Sequence, residues 1–177
     1  LATAFGMLLG FLPTIVLVNL MDLAFARLIV PLFAGFLVGL AQWLVLRKYV
    51  NDTADWILAA GASWAVGYAL GLFIINGLTG TGLDGFFGYI LFGVIVALVQ
   101  WPILRREIPN VWAWVLANVI GWTTGFYLSQ LALDLFFNGP SIAPVASTSV
   151  LAGVSGLVAG TITGLALVWI VRQPERP

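Results

Sequence analysis

Two glutamines in matching positions are the residues of this chain most open to chemistry. Gln42 opens the stretch Gln42-Trp43-Leu44-Val45-Leu46-Arg47-Lys48, and Gln100 opens Gln100-Trp101-Pro102-Ile103-Leu104-Arg105-Arg106. Each stands five residues before an arginine, ~7–8 Å further in along a helix that rises 1.5 Å per residue. A primary amide at that depth in an apolar helix needs partners. It can act as an interhelical polar clamp, worth about 0.6–2 kcal/mol. It can equally act as a polar gate, or as an oxygen ligand to a cation or to the magnesium of a chlorin.

The tryptophans divide into two sets. Trp43 and Trp101 lie four residues before Arg47 and Arg105, a spacing that stacks a guanidinium on an indole while its charge reaches lipid headgroups. With Lys48, Arg106 and Arg172 they read as headgroup anchors. Trp64 and Trp122 lie eight residues beyond Trp56 and Trp114, about 12 Å deeper. There an indole N–H wants an acceptor. Packing is one role for this pair, and contact with a buried apolar ligand is the other.

The remaining inventory is thin. The chain has no histidine and no cysteine, which removes the commonest general base, thiolate chemistry and cysteine metal sites. Asp22, Asp84 and Asp134 fall near one set of helix ends, and Asp52, Asp55, Glu107 and Glu175 near the other. Ion-coupled transporters usually carry an ionisable group within a span; Asp134, four residues after Gln130, comes closest here. No H-E-x-x-H or P-loop is present, and Lys48, the only lysine, is misplaced for a retinal Schiff base. A non-enzymatic protein is expected.

The elements that position these residues follow from composition. Of 177 residues, 62% are hydrophobic and 8% charged, with mean hydropathy +1.09; soluble domains carry roughly 25% charged residues. The apolar residues come in runs of about 20, the length that crosses a hydrocarbon core. Six spans are expected, at about residues 1–20, 24–46, 55–76, 86–104, 111–137 and 145–171. The opening run reads as a true span rather than a cleaved signal, and an N-terminal extension beyond this numbering is left open. Net charge is zero, with no basic stripe for nucleic acid.

The spans repeat. Shifting residues 35–71 forward by 58 makes 13 of 37 positions identical without a gap, including Gln42 on Gln100, Trp56 on Trp114 and Trp64 on Trp122. A further shift of 67 places Gly93 on Gly160 and Arg105 on Arg172, but Leu167 and Val168 replace the Gln-Trp pair. A symmetric ring of three amides is therefore excluded. The expected unit is a hairpin, at residues 1–54, 55–111 and 112–177 of a single membrane domain. Three such units in parallel orientation predict an all-α, six-helix bundle with pseudo-threefold symmetry.

Small residues recur every fourth position: Ala2-Gly6-Gly10, Gly35-Gly39, Ser63-Gly67-Gly71, Gly93-Ala97, Gly121-Gly125-Ser129 and Gly156-Gly160-Gly164. This spacing lets helix backbones approach closely in lipid. A dimer face, or a groove for a flat lipophile, is the alternative use. Arg47, Lys48, Arg105, Arg106, Arg172 and Arg176 all fall on one side, against Arg27 on the other. The positive-inside rule makes the six-cation side cytoplasmic, with both termini there.

The Gln-Trp-x-x-Leu-Arg endings, with Trp…Trp-x-x-Gly opening the following helix, resemble uncharacterised multi-spanning membrane proteins of bacteria, phototrophs included. The resemblance covers nearly the whole chain and departs at Leu167 and Val168. It implies a bacterial cytoplasmic membrane but no activity, and it carries no functional residue across. The expected function is an accessory or scaffold subunit of a larger membrane complex, its partners being membrane lipids and other membrane subunits. A carrier or channel for a small or lipophilic solute is the second expectation, lined by Gln42, Gln100, Thr123, Thr124, Thr161 or Thr163. A pigment- or lipid-binding subunit is the third. No cofactor is specified by the sequence.

Overall fold

The computed structural model describes residues 23–48, 55–77, 84–106, 111–137 and 144–172, and these form five helices. They are α1 (Leu23–Leu46), α2 (Asp55–Gly77), α3 (Asp84–Leu104), α4 (Trp112–Phe137) and α5 (Pro144–Val171). The fold of the described residues is all-α. The expected first span lies outside them, as do Asp22, Asp52, Glu107, Glu175 and Arg176. The other five expected spans match helices to within two residues at each end.

Local chemistry explains several of the ends. Asp55 puts a carboxylate in the first turn of α2, where the helix dipole favours negative charge. Pro144 opens α5, a position that needs no N–H donor. α1 and α3 close in the same way. Arg47 N donates to Trp43 O and Arg105 N to Trp101 O, both at 2.9 Å. Lys48 N then reaches back three residues to Val45 O and Arg106 N to Ile103 O, the tightened last turn common at helix ends.

Each described helix packs chiefly on its neighbours in sequence: α1 on α2, α2 on α3, α3 on α4 and α4 on α5. Glycines set these seams. A Cβ added to Gly35 would lie 2.7 Å from Ala60 O, and one on Gly93 would lie 2.9 Å from Asn118 O. Ala60 and Asn118 are themselves 58 residues apart. Gly39 abuts Ala60 and Ile57, Gly67 abuts Phe92, Gly121 abuts Ala159, and Gly125 abuts the backbone of Ser155. Gly71 is looser, its nearest neighbour Gly88 O at 3.7 Å. Gly156 is buried and Gly160 half-buried, and among the described residues a Cβ on Gly164 would meet nothing within 4 Å.

Two buried clusters fill the interior. One joins Leu46, Leu104 and Ile170, from the last turns of α1, α3 and α5, to Trp56, Val111 and Trp114. The helix ends that carry Arg47, Lys48, Arg105, Arg106 and Arg172 therefore lie at one end of the bundle. The second cluster lies further along and holds Ala34, Val38, Trp64, Phe92, Val96, Trp122, Ala152 and Ala159.

The outside is as apolar as the inside. Leu116, Ile120, Tyr127, Leu131 and Leu135 line the outer face of α4, and Leu157, Leu165, Val168 and Trp169 that of α5. Gly85–Leu104 and Val150–Ile170 are long and apolar enough to cross a membrane by length and composition, and Pro31–Leu46 is a shorter apolar stretch. Only 28% of Val150–Ile170 is buried, against 50% of Gly85–Leu104. Along α5 the side chains of Leu157, Leu165, Val168 and Trp169 are exposed, while Ala152, Ala159 and Ile170 are buried.

Gly93→Ala is expected to lower stability by about 1–3 kcal/mol, because the added methyl overpacks against backbone atoms of α4. Gly164→Ala, pointing into open space, is expected to stay within ~0.5 kcal/mol of the parent. Reversible unfolding in mixed micelles measures both.

Candidate functional site

The polar groups inside the bundle decide what it can do, and most are already engaged. Ser63, Ser129, Ser155, Thr161 and Thr163 each return their hydroxyl to a carbonyl three or four residues earlier on their own helix. A hydroxyl so used caps the backbone rather than facing a ligand. Thr161 and Thr163, expected as pore-lining residues, are occupied in this way. Thr123 differs: its Oγ1 is buried without a partner.

The tryptophan N–H groups come next. Trp56 Nε1 donates to Gln42 Oε1 at 3.2 Å, tying α2 to α1. Trp122 Nε1 donates to Asn118 Oδ1 at 3.3 Å, and Asn118 Nδ2 donates in turn to Trp114 O at 2.9 Å. Asn118, 2% exposed, does for Trp122 what Gln42 does for Trp56. Sequence reasoning missed it, although its place four residues before Trp122 on a helix was visible. In the second copy of the Gln–Trp pair, both Gln100 Oε1 and Trp114 Nε1 are buried without partners.

Trp64 and Trp122 meet edge-to-face at 5.1 Å, and each also takes the edge of Phe92 at 5.3 Å. Trp56 and Trp114 meet at 5.6 Å. Residues 58 apart thus touch across the interior, joining α2 to α4. Phe126 extends the ring stack against Phe92 and Trp122. Such pairs add roughly 0.5–1.5 kcal/mol each beyond burial. Among the described residues the bundle interior is filled with rings.

A cavity opens beside this stack rather than within it. It is lined by Gly67, Tyr68, Gly71, Gly88, Tyr89, Phe92 and Phe126, and holds about 100 Å³. Trp64 and Trp122, named from the sequence as ligand contacts, do not line it. Tyr89 stacks on Phe126 at 4.9 Å and accepts from Gln130 Nε2 at 3.3 Å. Ligand pockets begin near ~300 Å³, so the space suits part of an acyl chain rather than a whole cofactor.

At the cation-bearing end Arg47 Cζ sits 4.9 Å from the Trp43 ring centroid. The equivalent Trp101 is engaged differently, edge-to-face with Trp112 at 4.5 Å. Arg47, Lys48, Arg105, Arg106 and Arg172 are exposed. Asp134 is exposed as well, which weakens it as a coupling site. Among the described residues no cluster of three acidic side chains could hold a metal ion. No family model, curated protein or solved structure matches the chain.

The Gln42–Trp56 bond gives a direct test. A double-mutant cycle with Gln42→Leu and Trp56→Phe is expected to yield a coupling of about 0.6–1.7 kcal/mol. The parallel cycle of Gln100→Leu with Trp114→Phe is expected to give a smaller direct coupling. Unfolding in micelles reads both.

Proposed function

We propose that the chain is an integral membrane protein without catalytic activity, built as three parallel hairpins, and that it serves as an accessory or scaffold subunit of a larger membrane assembly. The observation that carries this reading is α5. Gly39 and Ala97 are buried in seams with the next helix, whereas a Cβ on their equivalent Gly164 meets no atom of the described residues within 4 Å. α5 also has the least buried apolar stretch of the two long enough to cross a membrane. A small residue without a described neighbour at this position suits the close approach of a helix from a partner subunit.

The threefold arrangement draws support from residues that the two shifts superpose. Ala34, Phe92 and Ala159 share one buried cluster, and Val38, Val96 and Thr163 are all buried. The proposed topology places the cation-bearing end in the cytoplasm of a bacterium. Lipids contact the outward leucines of α4 and α5 and Phe136 of α4.

The carrier reading needs a polar path along the axis. The ring stack of Trp64, Phe92 and Trp122, and the back-bonded Thr161 and Thr163, speak against it. The lipid-binding reading has one observation in its favour, the apolar cavity beside Tyr89; its size does not favour a pigment.

The chain has no cysteine, so single cysteines report cleanly. Lys48→Cys, Arg106→Cys and Arg172→Cys are expected to label from one side of sealed vesicles; labelling from opposite sides refutes the topology. A cross-linker on Gly164→Cys in native membranes is expected to capture a second polypeptide, identified by mass spectrometry. A link only to residues 1–20 of the same chain, or purification as a homogeneous monomer with transport activity, counts against the subunit reading.

A further inference from the structure

The seam between α3 and α4 repeats the seam between α1 and α2 in register but differs in the pairing of one amide and indole. Gly35 meets Ala60 O as Gly93 meets Asn118 O, so the register of the two seams agrees at this contact. The amide and indole that follow are equivalent: Gln42 with Trp56, Gln100 with Trp114. In the first seam they bond directly at 3.2 Å. In the second, an acceptor and a donor are both buried and both unpartnered. Gln100 is 1% exposed and Trp114 2% exposed.

We infer that Gln100 and Trp114 form a binding site for one internal water molecule, held between α3 and α4 in place of the direct bond. A buried donor and a buried acceptor left empty are each costly. One water satisfies both, accepting from Trp114 Nε1 and donating to Gln100 Oε1, which is the usual role of buried water. Exchanging the oxygen and nitrogen of the amide, which the hydrogen-bond network alone must assign, does not remove the need. Two donors would then face one another, and a water oxygen accepts from both. Near-complete burial of both side chains keeps a lipid hydroxyl out.

The cause of the difference lies beside the pair. Trp112 stands where the first copy has Ala54, and its ring meets that of Trp101, the residue after Gln100, at 4.5 Å. In this proposal the bulky ring holds the end of α3 off the start of α4. Trp112 is itself 64% exposed, so removing it leaves the core intact.

The test is nuclear magnetic resonance of the full chain, indole-labelled with nitrogen-15, in nanodiscs, with Trp56 and Trp114 assigned by Trp→Phe variants. The Trp114 indole proton is expected to show a cross-relaxation peak to water that Trp56 lacks. Gln100→Leu is expected to abolish that peak. Trp112→Ala is expected to abolish it too, and to move the Trp114 resonance toward that of Trp56 as the direct bond closes. The parent protein alone already decides the matter. No water peak from Trp114, or a peak to lipid protons instead, overturns the proposal.

Discussion

At seam after seam a glycine of one helix lies where a side chain would collide with the backbone of the next. Gly35 faces Ala60, Gly93 faces Asn118 and Val119, and Gly125 faces Ser155. In a lipid bilayer, helices with apolar outer faces would gain little from hiding apolar area. What distinguishes the packed arrangement is proximity: dispersion between close backbones, and the few hydrogen bonds that proximity permits. The Trp56–Gln42 bond and the edge-to-face rings both depend on it. Backbone spacing thus governs the interior, and side-chain chemistry fills what remains.

This dependence explains the shape of the core. With the backbones drawn together at glycine, the space left at the centre takes flat groups well, and Trp64, Trp122 and Phe92 occupy it at centroid distances of 5.1–5.3 Å. Most polar residues inside have a partner at hand; among the described residues Gln100 Oε1, Trp114 Nε1 and Thr123 Oγ1 are the exceptions. Asn118 meets this condition twice over, binding the Trp122 N–H and the Trp114 carbonyl. The cavity by Tyr89 lies where Gly67, Gly71 and Gly88 come together and no ring fills the gap.

Much of this was legible in the sequence because glycine spacing and the 58-residue shift report directly on which residues share a seam. The helices at Asp55–Gly77 and Asp84–Leu104, and the Gln42 amide within a seam, follow from pattern alone. The pairing of individual polar atoms does not. Gln42 and Gln100 sit in the same local words, yet Gln42 accepts from Trp56 while Gln100 Oε1 has no partner; their surroundings differ at residues outside those words, such as Trp112 in place of Ala54. Asn118 escaped notice because its equivalent is Ala60, so the repeat gave no cue. The cavity was missed for a related reason. It forms between helices from residues that are unremarked singly, while the larger tryptophans drew attention and turned out to meet one another.

The order of the seams has a bearing on how the molecule is made. Because the described helices pack chiefly on their neighbours in sequence, a ribosome releasing the chain from the N-terminal side delivers each of α2 to α5 next to a partner already in place. Long excursions in search of distant segments are not required, and a nascent chain halted after α3 would already own the α1–α2 and α2–α3 seams. The tryptophan contacts between α2 and α4 come one step later, as a latch set once α3 has been laid down. Biogenesis of this kind proceeds like closing a fan, leaf upon leaf, with the rings locking alternate leaves together.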